Sequence, residues 1–412
     1  MKDLKFERFT LSNGVNVLFR PRKGTQIVHA AVLIDAGTRD ETPEEAGMAH
    51  FMEHIVFKGT KKRKSFHILN ILDSVGGELN AYTTREKTCF HATVAKTYAD
   101  RATDVLQDVA FSPVFPPFEI EKEKLVVAEE MDMYRDNPEE AIFDDYDALL
   151  YGEHAYGRPI LGTEATLSRF AQSTLQTFHR RQYLPERTVF AITGNMSPGY
   201  VEKLAKKYFE FEAQRESEPS PRPLPARSNA HERTIPGRHV QAHMIIGGYA
   251  PQLRSDDYYA FGLLNFLLGG PSMNTILNLR IREKYGLVYS IYSFYNPYVS
   301  DGTWGVYAGC DGKQVSRVRK LIEKELDALV HAPLSPTAVQ RIKRQYLGAL
   351  MLQTEHQTSF LTGAAKDLLD FGNIPSLGEV VDKIQSLKAE DLQRAAVRSF
   401  ANRFYIAYEP GR

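Results

Sequence analysis

The stretch Ala49-His50-Phe51-Met52-Glu53-His54-Ile55-Val56-Phe57 combines two imidazoles and one carboxylate at helical spacing. On a helix, His50 and His54 lie about 40° apart, and Glu53 projects from the same side. Neutral imidazole is a common zinc ligand, and a carboxylate beside two of them can take a proton from zinc-bound water. The spacing therefore predicts half of a zinc site together with a general base.

A half-buried helix with two hydrogen-bonded histidines is the alternative interpretation of this motif. The flanking residues are apolar, and burying two histidines and a glutamate together is costly unless they pair or bind a metal. This argument favours the zinc site.

A catalytic zinc ion usually has three protein ligands, so two histidines leave the site incomplete. A long helix is predicted from Glu119 to about Tyr134, and an acidic residue on it is the natural third ligand. Periodicity does not choose between Glu123, Glu129 and Glu130. A solvated acidic face competes as an explanation for each of them.

Two paired strands are predicted between the motif and this helix, at 79–84 and 88–94, joined by the charged turn Arg85-Glu86-Lys87. The free edge of a strand beside a metal site can bind an extended peptide as an added strand. We therefore expect Asn80, Ala81, Tyr82 and Thr83 to bind substrate. An ordinary covered strand is the alternative.

The order of predicted elements is repeated in the second half of the 412-residue chain, which indicates two homologous domains in tandem. The predicted fold class is α+β, with a mostly antiparallel sheet covered by helices in each domain. We expect domains at 1–214 and 235–412 and a proline-rich linker at 215–234. In the second domain, Ala260, Leu263 and Leu264 stand where the motif residues would map, so this domain is expected to lack the metal.

Composition excludes several classes of partner. Lys+Arg and Asp+Glu both number 51, which gives no net charge to attract nucleic acid or an anionic membrane. No apolar run approaches the roughly 18 residues of a membrane span, and the charged start lacks the apolar run of a secretion signal. We therefore expect a cytoplasmic protein with no nucleic-acid or membrane partner. The two cysteines, Cys89 and Cys310, are expected to be reduced and buried.

Five collinear segments carry a resemblance over essentially the whole chain. The sequence resembles the pitrilysin, or inverzincin, family of zinc metallopeptidases, in particular its single-subunit bacterial members related to the mitochondrial processing peptidase β-subunit. The segments are HFMEHIVFKGT at 50–60, GGELNAYT at 76–83, EKLVVAEEM at 123–131, RPILGT at 158–163 and LRIREKYGLVYS at 279–290.

The resemblance implies roles for residues that the spacing left open. In the family the third ligand is a glutamate about 75 residues beyond the second histidine, which corresponds to Glu130, and Glu123 matches a supporting acidic residue. Arg282 and Tyr289 match a pair that contacts substrate and the developing oxyanion. Relatives of this size pair two subunits into a clamshell, and the Arg/Tyr pair reaches the zinc from the opposite subunit. A homodimer with Arg282 and Tyr289 acting in trans is therefore expected.

The function expected from these observations is that of a zinc-dependent endopeptidase acting on unfolded or short peptides inside a dimeric chamber. His50, His54 and Glu130 would hold Zn²⁺, which strongly lowers the pKa of its bound water, to about 7. Glu53 would take the proton and deliver it to the leaving amine, while Tyr289 in trans stabilises the oxyanion. A non-catalytic, chaperone-like peptide binder of the same fold is the alternative.

Overall fold

The chain folds into two compact units, each built from three segments. The computed structural model describes residues 5–212, 222–228, 231–237 and 240–410. The first unit comprises Met1–Met131, Pro159–Arg222 and Leu352–Leu377. The second comprises Asp132–Arg158, Pro223–Met351 and Gly378–Arg412. Each unit therefore contains segments from both halves of the chain.

A six-stranded, mostly antiparallel sheet forms the centre of the first unit. Its order is β1-β2-β6-β3-β5-β4, and only the β2–β6 pair among these strands is parallel. β4 lies at one edge and has a single neighbour in this sheet, β5. The strands are β1 Glu7–Thr10, β2 Asn16–Pro21, β3 Ile27–Ile34, β4 Glu78–Thr83, β5 Thr88–Ala95 and β6 Thr188–Gly194.

A five-stranded sheet forms the centre of the second unit, in the order β7-β11-β8-β10-β9. The β7–β11 pair is parallel and the other pairs are antiparallel. β9 is an edge strand, as β4 is in the first sheet. The strands are β7 Glu232–Gly237, β8 Gln241–Tyr249, β9 Val288–Pro297, β10 Gly302–Asp311 and β11 Phe404–Pro410.

Helices cover both sheets, and those of the described residues are numbered along the chain. They are α1 Met48–Ile55, α2 Ser65–Asp73, α3 Ala99–Phe111, α4 Pro117–Asp136, α5 Pro138–Tyr151, α6 Glu164–Leu167, α7 Gln172–Gln182, α8 Pro198–Phe209, α9 Tyr258–Gly269, α10 Val315–His331, α11 Pro336–Gln353, α12 Gln357–Phe371, α13 Leu377–Ser386 and α14 Ala389–Phe400. A π-helical segment, Asn278–Glu283, precedes β9. In the part of the chain that the structure describes, no helix combines the length and apolar character needed to cross a bilayer.

Each sheet buries apolar side chains on both faces, because successive residues of a strand point to opposite sides. In the first unit, α1 and α3 pack on one face, where Phe19 and Phe51 are buried. α12 packs on the other face, against Leu18 and Cys89. In the second unit, α5 covers one face, and α9, α10 and α14 cover the other. Every face of these sheets therefore has a helical partner.

The predicted fold class is confirmed: two αβ units of similar build each contain a mostly antiparallel sheet covered by helices. Cys89 and Cys310 are unpaired and buried, as predicted. In the second unit, Ala260, Leu263 and Leu264 are buried apolar residues of α9, so this helix has no metal-binding side chain at these positions.

The units differ from the predicted domain ranges 1–214 and 235–412. α5 belongs to the second unit and α12 to the first, so a single cut in the chain does not separate them. The linker predicted at 215–234 lies partly outside the described residues, and its last residues begin β7.

Two helices, α6 and α7, follow each other closely in the first unit. The Thr163 hydroxyl accepts a hydrogen bond from the Thr166 N–H at 3.2 Å and caps α6. The Thr174 hydroxyl accepts one from the Ala171 N–H at 2.9 Å and begins α7. Each of the two helices therefore begins at its own capping contact.

The charged turn between β4 and β5 is buried, and ion pairs hold it in place. Lys87 Nζ lies 2.8 Å from Asp35 Oδ1 and 2.5 Å from Asp370 Oδ1. Arg222 donates to Asp35 Oδ1 at 2.9 Å and to Asp40 Oδ2 at 2.8 Å. These contacts tie the end of β4 to the sheet, to α12 and to residue 222, so the edge strand is anchored at this end.

Replacing Asp35 with asparagine is expected to destabilise the protein at neutral pH by about 2 kcal/mol, the size of a hydrogen bond to a charged group. Burial alone would raise the pKa of Asp35, but the cations Lys87, Arg222 and Arg187 lower it below its ordinary value. A carboxyl whose pKa is lowered in the folded state stabilises the protein at pH values above its ordinary pKa of about 3.9. This stabilisation is lost as the pH falls further. Thermal unfolding of both proteins from pH 7 to pH 3 measures the difference.

The destabilisation should shrink below about pH 4, because the Asp35 carboxyl then takes up a proton in the unfolded chain while it stays ionised in the folded protein to lower pH. Glu202→Gln is a matched control, because its ion pair with Lys206 at 2.8 Å lies on a half-exposed helix surface, where such pairs contribute little. A difference between wild type and Asp35→Asn that grows in acid would contradict the assignment.

Candidate metal centre

The motif helix α1 begins at Met48, and Pro43–Glu45 before it form only a short 3₁₀ turn. Gly47 has φ 90°, a backbone conformation that favours glycine. The buried Glu41 carboxylate accepts hydrogen bonds from the N–H groups of Gly47 at 3.0 Å and Ala49 at 2.7 Å. The N–H groups of the N-cap residue and of the second helical residue are thereby satisfied, and the starting point of the helix is set.

Burial of the apolar residues of α1 in the core determines which side of the helix can form the metal centre. Phe51, Met52 and Ile55 are fully buried in the core of the first unit. Because a helix repeats every 3.6 residues, His50 and His54 share a different side, and their ring centroids lie 4.7 Å apart.

Glu130 of α4 faces both imidazoles. Its Oε1 lies 3.7 Å from His50 Nε2, and its Oε2 lies 3.5 Å from His54 Nε2. Among the described residues, these three form the group of histidine, cysteine and acidic side chains whose ligand atoms all lie within 4.8 Å of one another. The structure therefore brings together the three residues that the resemblance implied.

The donor set and its spacing fit zinc. Two imidazole nitrogens and one carboxylate oxygen are usual zinc donors, and tetrahedral ligands at about 2.1 Å from the ion are about 3.4 Å from one another. The carboxylate–imidazole distances of 3.5 and 3.7 Å are close to this value. Burial, followed by the nearby His54, lowers the pKa of His50 to about 4, which keeps its imidazole neutral as a ligand must be.

The structure distinguishes the three acidic candidates on α4. Glu129 is exposed, and Glu130 faces the Nε2 atoms. Glu123 is buried, and its Oε1 lies 2.9 Å from Nδ1 of His54, on the other edge of that ring. A carboxylate only accepts hydrogen bonds, so this contact favours a proton on Nδ1 and a lone pair on Nε2.

Lys58 contacts the second oxygen of Glu123, with its Nζ 2.8 Å from Oε2. Burial alone would raise the pKa of Glu123, but hydrogen bonds from His54 and Lys58 lower it. Burial alone would likewise lower the pKa of His54, but the Glu123 hydrogen bond and the Glu130 charge raise it. Nδ1 of the other histidine, His50, is buried with no hydrogen-bond partner among the described residues.

Glu53 is the carboxylate of the motif that is not part of the three-residue group. Burial raises its pKa above the ordinary value, which favours proton uptake. The hydroxyl and the backbone N–H of Thr83 hydrogen-bond this carboxylate and partly oppose that rise. The end of edge strand β4 therefore orients the candidate general base.

The four residues predicted to bind substrate form part of β4, and their side chains point in different directions. Ala81 packs against the core that contains α1, on the side where Thr83 reaches Glu53. The Tyr82 hydroxyl hydrogen-bonds Thr362 of α12, and Asn80 is exposed. The outer edge of β4 consequently offers mainly backbone groups.

Arg282 and Tyr289 lie in the second unit. Arg282 is an exposed residue of the π-helical segment. Tyr289 is the second residue of edge strand β9, with 62% of its surface exposed. Their side chains are accessible, as residues that contact a ligand must be.

Sequence reasoning missed two residues that support the motif helix, Glu41 and Lys58. Lys58 follows His54 by four residues, which is a signal for the same side of a helix. No spacing rule identifies Glu41, because its carboxylate reaches the helix start from a separate turn.

The family model described as insulinase (peptidase family M16) matches residues 16–164, and the model described as peptidase M16 inactive domain matches residues 170–346. The first match contains all three residues of the candidate metal centre.

Relatives in several bacteria are similar over nearly their full length. A protein of Bacillus subtilis named as an uncharacterized zinc protease is 32% identical over 97% of this chain and 97% of its own. One of Streptomyces coelicolor with the same description is 31% identical over 94% of this chain and 86% of its own.

Two solved structures have the same fold. The crystal structure of a protease from Helicobacter pylori superposes with a TM-score of 0.90 and 22% identity over 99% of this chain and 100% of that one. A structure from Pseudomonas fluorescens, described as a peptidase M16 inactive domain, also gives a TM-score of 0.90, with 18% identity over 99% of each chain. With both family models matched in order and the relatives aligned over nearly their whole length, the chain belongs to peptidase family M16, the insulinase family.

Proposed function

We propose that the protein is a zinc-dependent endopeptidase that hydrolyses unfolded or short peptides. The observation that carries the proposal is the approach of Glu130 to the Nε2 atoms of His50 and His54, with Glu53 beside them on the same helix. Family membership and relatives named zinc proteases support the peptidase class.

The three-residue group would hold the metal, and Zn²⁺ bound there would supply Lewis-acid polarisation of the scissile carbonyl and activation of the attacking water. Glu53 takes the proton of that water and later returns it to the leaving amine. Its raised pKa suits this exchange, since a base that must also act as an acid works best near the operating pH. Thr83 keeps the carboxylate oriented through both steps.

Backbone contacts account for the proposed substrate class. An extended peptide can add to β4 as a further strand, because β4 is the edge of its sheet. Main-chain hydrogen bonds require an unfolded substrate and tolerate many side chains. We therefore expect broad sequence tolerance, with a preference for chains that are unfolded or short.

We further propose that two copies of the chain form a homodimer in which Arg282 and Tyr289 of one subunit act at the metal centre of the other. The Tyr289 phenol would donate a hydrogen bond to the developing oxyanion, and Arg282 would bind the substrate. Two features support this arrangement: both side chains are exposed, and a single chain carries both the motif and the pair.

The test is incubation of the purified protein with a defined peptide mixture, followed by mass spectrometry of the products. Cleavage is expected with zinc present and should fall to background after treatment with a chelator, because the attacking water loses its activation. Added zinc should restore it. A protein that binds zinc and the peptides but never cuts them would refute the proposal and favour the non-catalytic peptide binder.

A further inference from the structure

Lys58 lies just outside the metal centre and is linked to it through Glu123. It ends the short 3₁₀ segment that follows α1. Its ammonium nitrogen is 2.8 Å from Oε2 of Glu123, whose Oε1 is 2.9 Å from Nδ1 of His54. The Glu123 side chain is only 5% exposed and the Lys58 side chain 29%. A continuous chain of contacts therefore joins a lysine to the far edge of an imidazole.

The two oxygens of Glu123 have separate partners, and this division fixes the carboxylate plane. A carboxylate held on Nδ1 of a histidine sets the ring orientation and directs Nε2 to the metal. If Lys58 were absent, Oε2 would lose this contact, and Glu123 would be free to rotate away from His54. His50 has no comparable support at its Nδ1 among the described residues, so within the imidazole pair this contact chain orients His54.

We propose that Lys58 is a positioning residue that fixes the His54 imidazole through Glu123 and thereby strengthens binding of the metal. The proposal rests on the proposed function only in taking the metal to be zinc. The expected change in metal affinity is opposite to the change that charge alone would give. Removing a cation close to a divalent ion should by charge alone tighten metal binding, whereas loss of the positioning contact should weaken it.

The experiment measures the zinc dissociation constant of the full-length protein by competition with a chromogenic chelator. Lys58→Met should weaken zinc binding about tenfold, at the lower end of the range for loss of such supporting contacts. Lys58→Arg keeps the charge and the donors, so it should stay within about twofold of wild type, the usual scatter of additivity. Lys62→Met is the matched control, because Lys62 pairs with Asp104 at 3.2 Å, away from Glu123.

A double-mutant cycle with Glu123→Gln tests whether Lys58 acts through the carboxylate. In that background Lys58→Met should change zinc affinity by no more than about twofold, because the contact that it supports is already lost. The visible spectrum of the Co²⁺-substituted protein supplies a second readout, which should change in Lys58→Met and be restored in Lys58→Arg. Thermal unfolding of the metal-free variants checks that each one is folded, and Lys58→Gln replaces Lys58→Met if the latter is not.

Unchanged or tighter zinc binding in Lys58→Met would overturn the proposal, as would a full tenfold loss in the Glu123→Gln background. A wild-type protein that binds no zinc would overturn both this inference and the proposed function. If the affinities follow the expected order but the wild type cuts no peptide, only the proposed function fails, so the two failures are distinguishable.

Discussion

Replacing Glu53 with glutamine is expected to lower the turnover number for peptide cleavage about 10³-fold while zinc remains bound. Glutamine has nearly the same shape but cannot take a proton from the attacking water, and general base catalysis contributes about 10² to 10⁴ in rate. The three residues grouped at the metal centre are untouched by the change. Steady-state kinetics on one cleaved peptide, together with elemental analysis for zinc, measure both parts of the expectation.

A smaller change at the same place provides the control. Thr83→Val removes the hydroxyl that hydrogen-bonds Glu53 but keeps the backbone N–H. It should lower turnover by only about tenfold, the equivalent of one hydrogen bond. Normal turnover in Glu53→Gln would exclude Glu53 as the base, and loss of zinc from that variant would mean that it acts as a ligand.

Mixing the two variants Glu53→Gln and Tyr289→Phe and measuring the recovered activity tests the proposed homodimer. If Tyr289 acts in trans, a mixed dimer contains one site with both wild-type residues. Random pairing makes half of the dimers mixed, and one of their two sites is intact, so about a quarter of wild-type activity should return. No recovery after subunit exchange would place Tyr289 in the same chain as the Glu53 that it assists, whereas wild-type activity of Tyr289→Phe alone would place it outside the reaction.

Replacing Glu130 with glutamine is expected to weaken zinc binding by more than about 100-fold, beyond the range for loss of a supporting contact. The neutral amide removes the negative charge that lies 3.5 and 3.7 Å from the two Nε2 atoms. Cleavage should fall in parallel, because the metal is absent. Chelator competition and peptide cleavage on the same preparation provide the two measurements.

Glu129→Gln is a closely matched control, because it makes the same chemical change one residue earlier on the same helix. Glu129 is exposed, so this substitution should leave zinc affinity and cleavage within about twofold of wild type. Equal zinc affinity in Glu130→Gln and wild type would mean that the carboxylate facing the imidazoles is not a ligand.

Local patterns in the sequence were sufficient for the elements that position the site. The two strands predicted at 79–84 and 88–94 are confirmed as β4 and β5, whose bounds in the structure lie within about one residue of those predicted. Helical spacing placed the two histidines of the motif on one side of α1. These features depend on residues a few positions apart, which is the range over which a helix or strand imposes its period.

Whether a charged residue is buried or exposed was less predictable from the sequence. The turn Arg85-Glu86-Lys87 is composed of charged residues, yet all three are buried. Lys87 is neutralised by Asp35 and Asp370, which lie far away in the sequence. Burial of a charge depends on whether a partner meets it in the folded protein, and no pattern within the turn contains that information.

By itself, the sequence determined the two αβ units and the histidine pair with its glutamate. It also determined a short set of acidic candidates for the third ligand. These features could be found because the period of a helix or strand is a local property. The tertiary structure decided which candidate faces the imidazoles. It also decided that Glu123 and Lys58 support the outer edge of His54, that Thr83 orients Glu53, and that α5 and α12 each join the unit built mainly from the other half. These relations join residues distant along the chain, and only the packing of elements brings such residues within hydrogen-bonding distance.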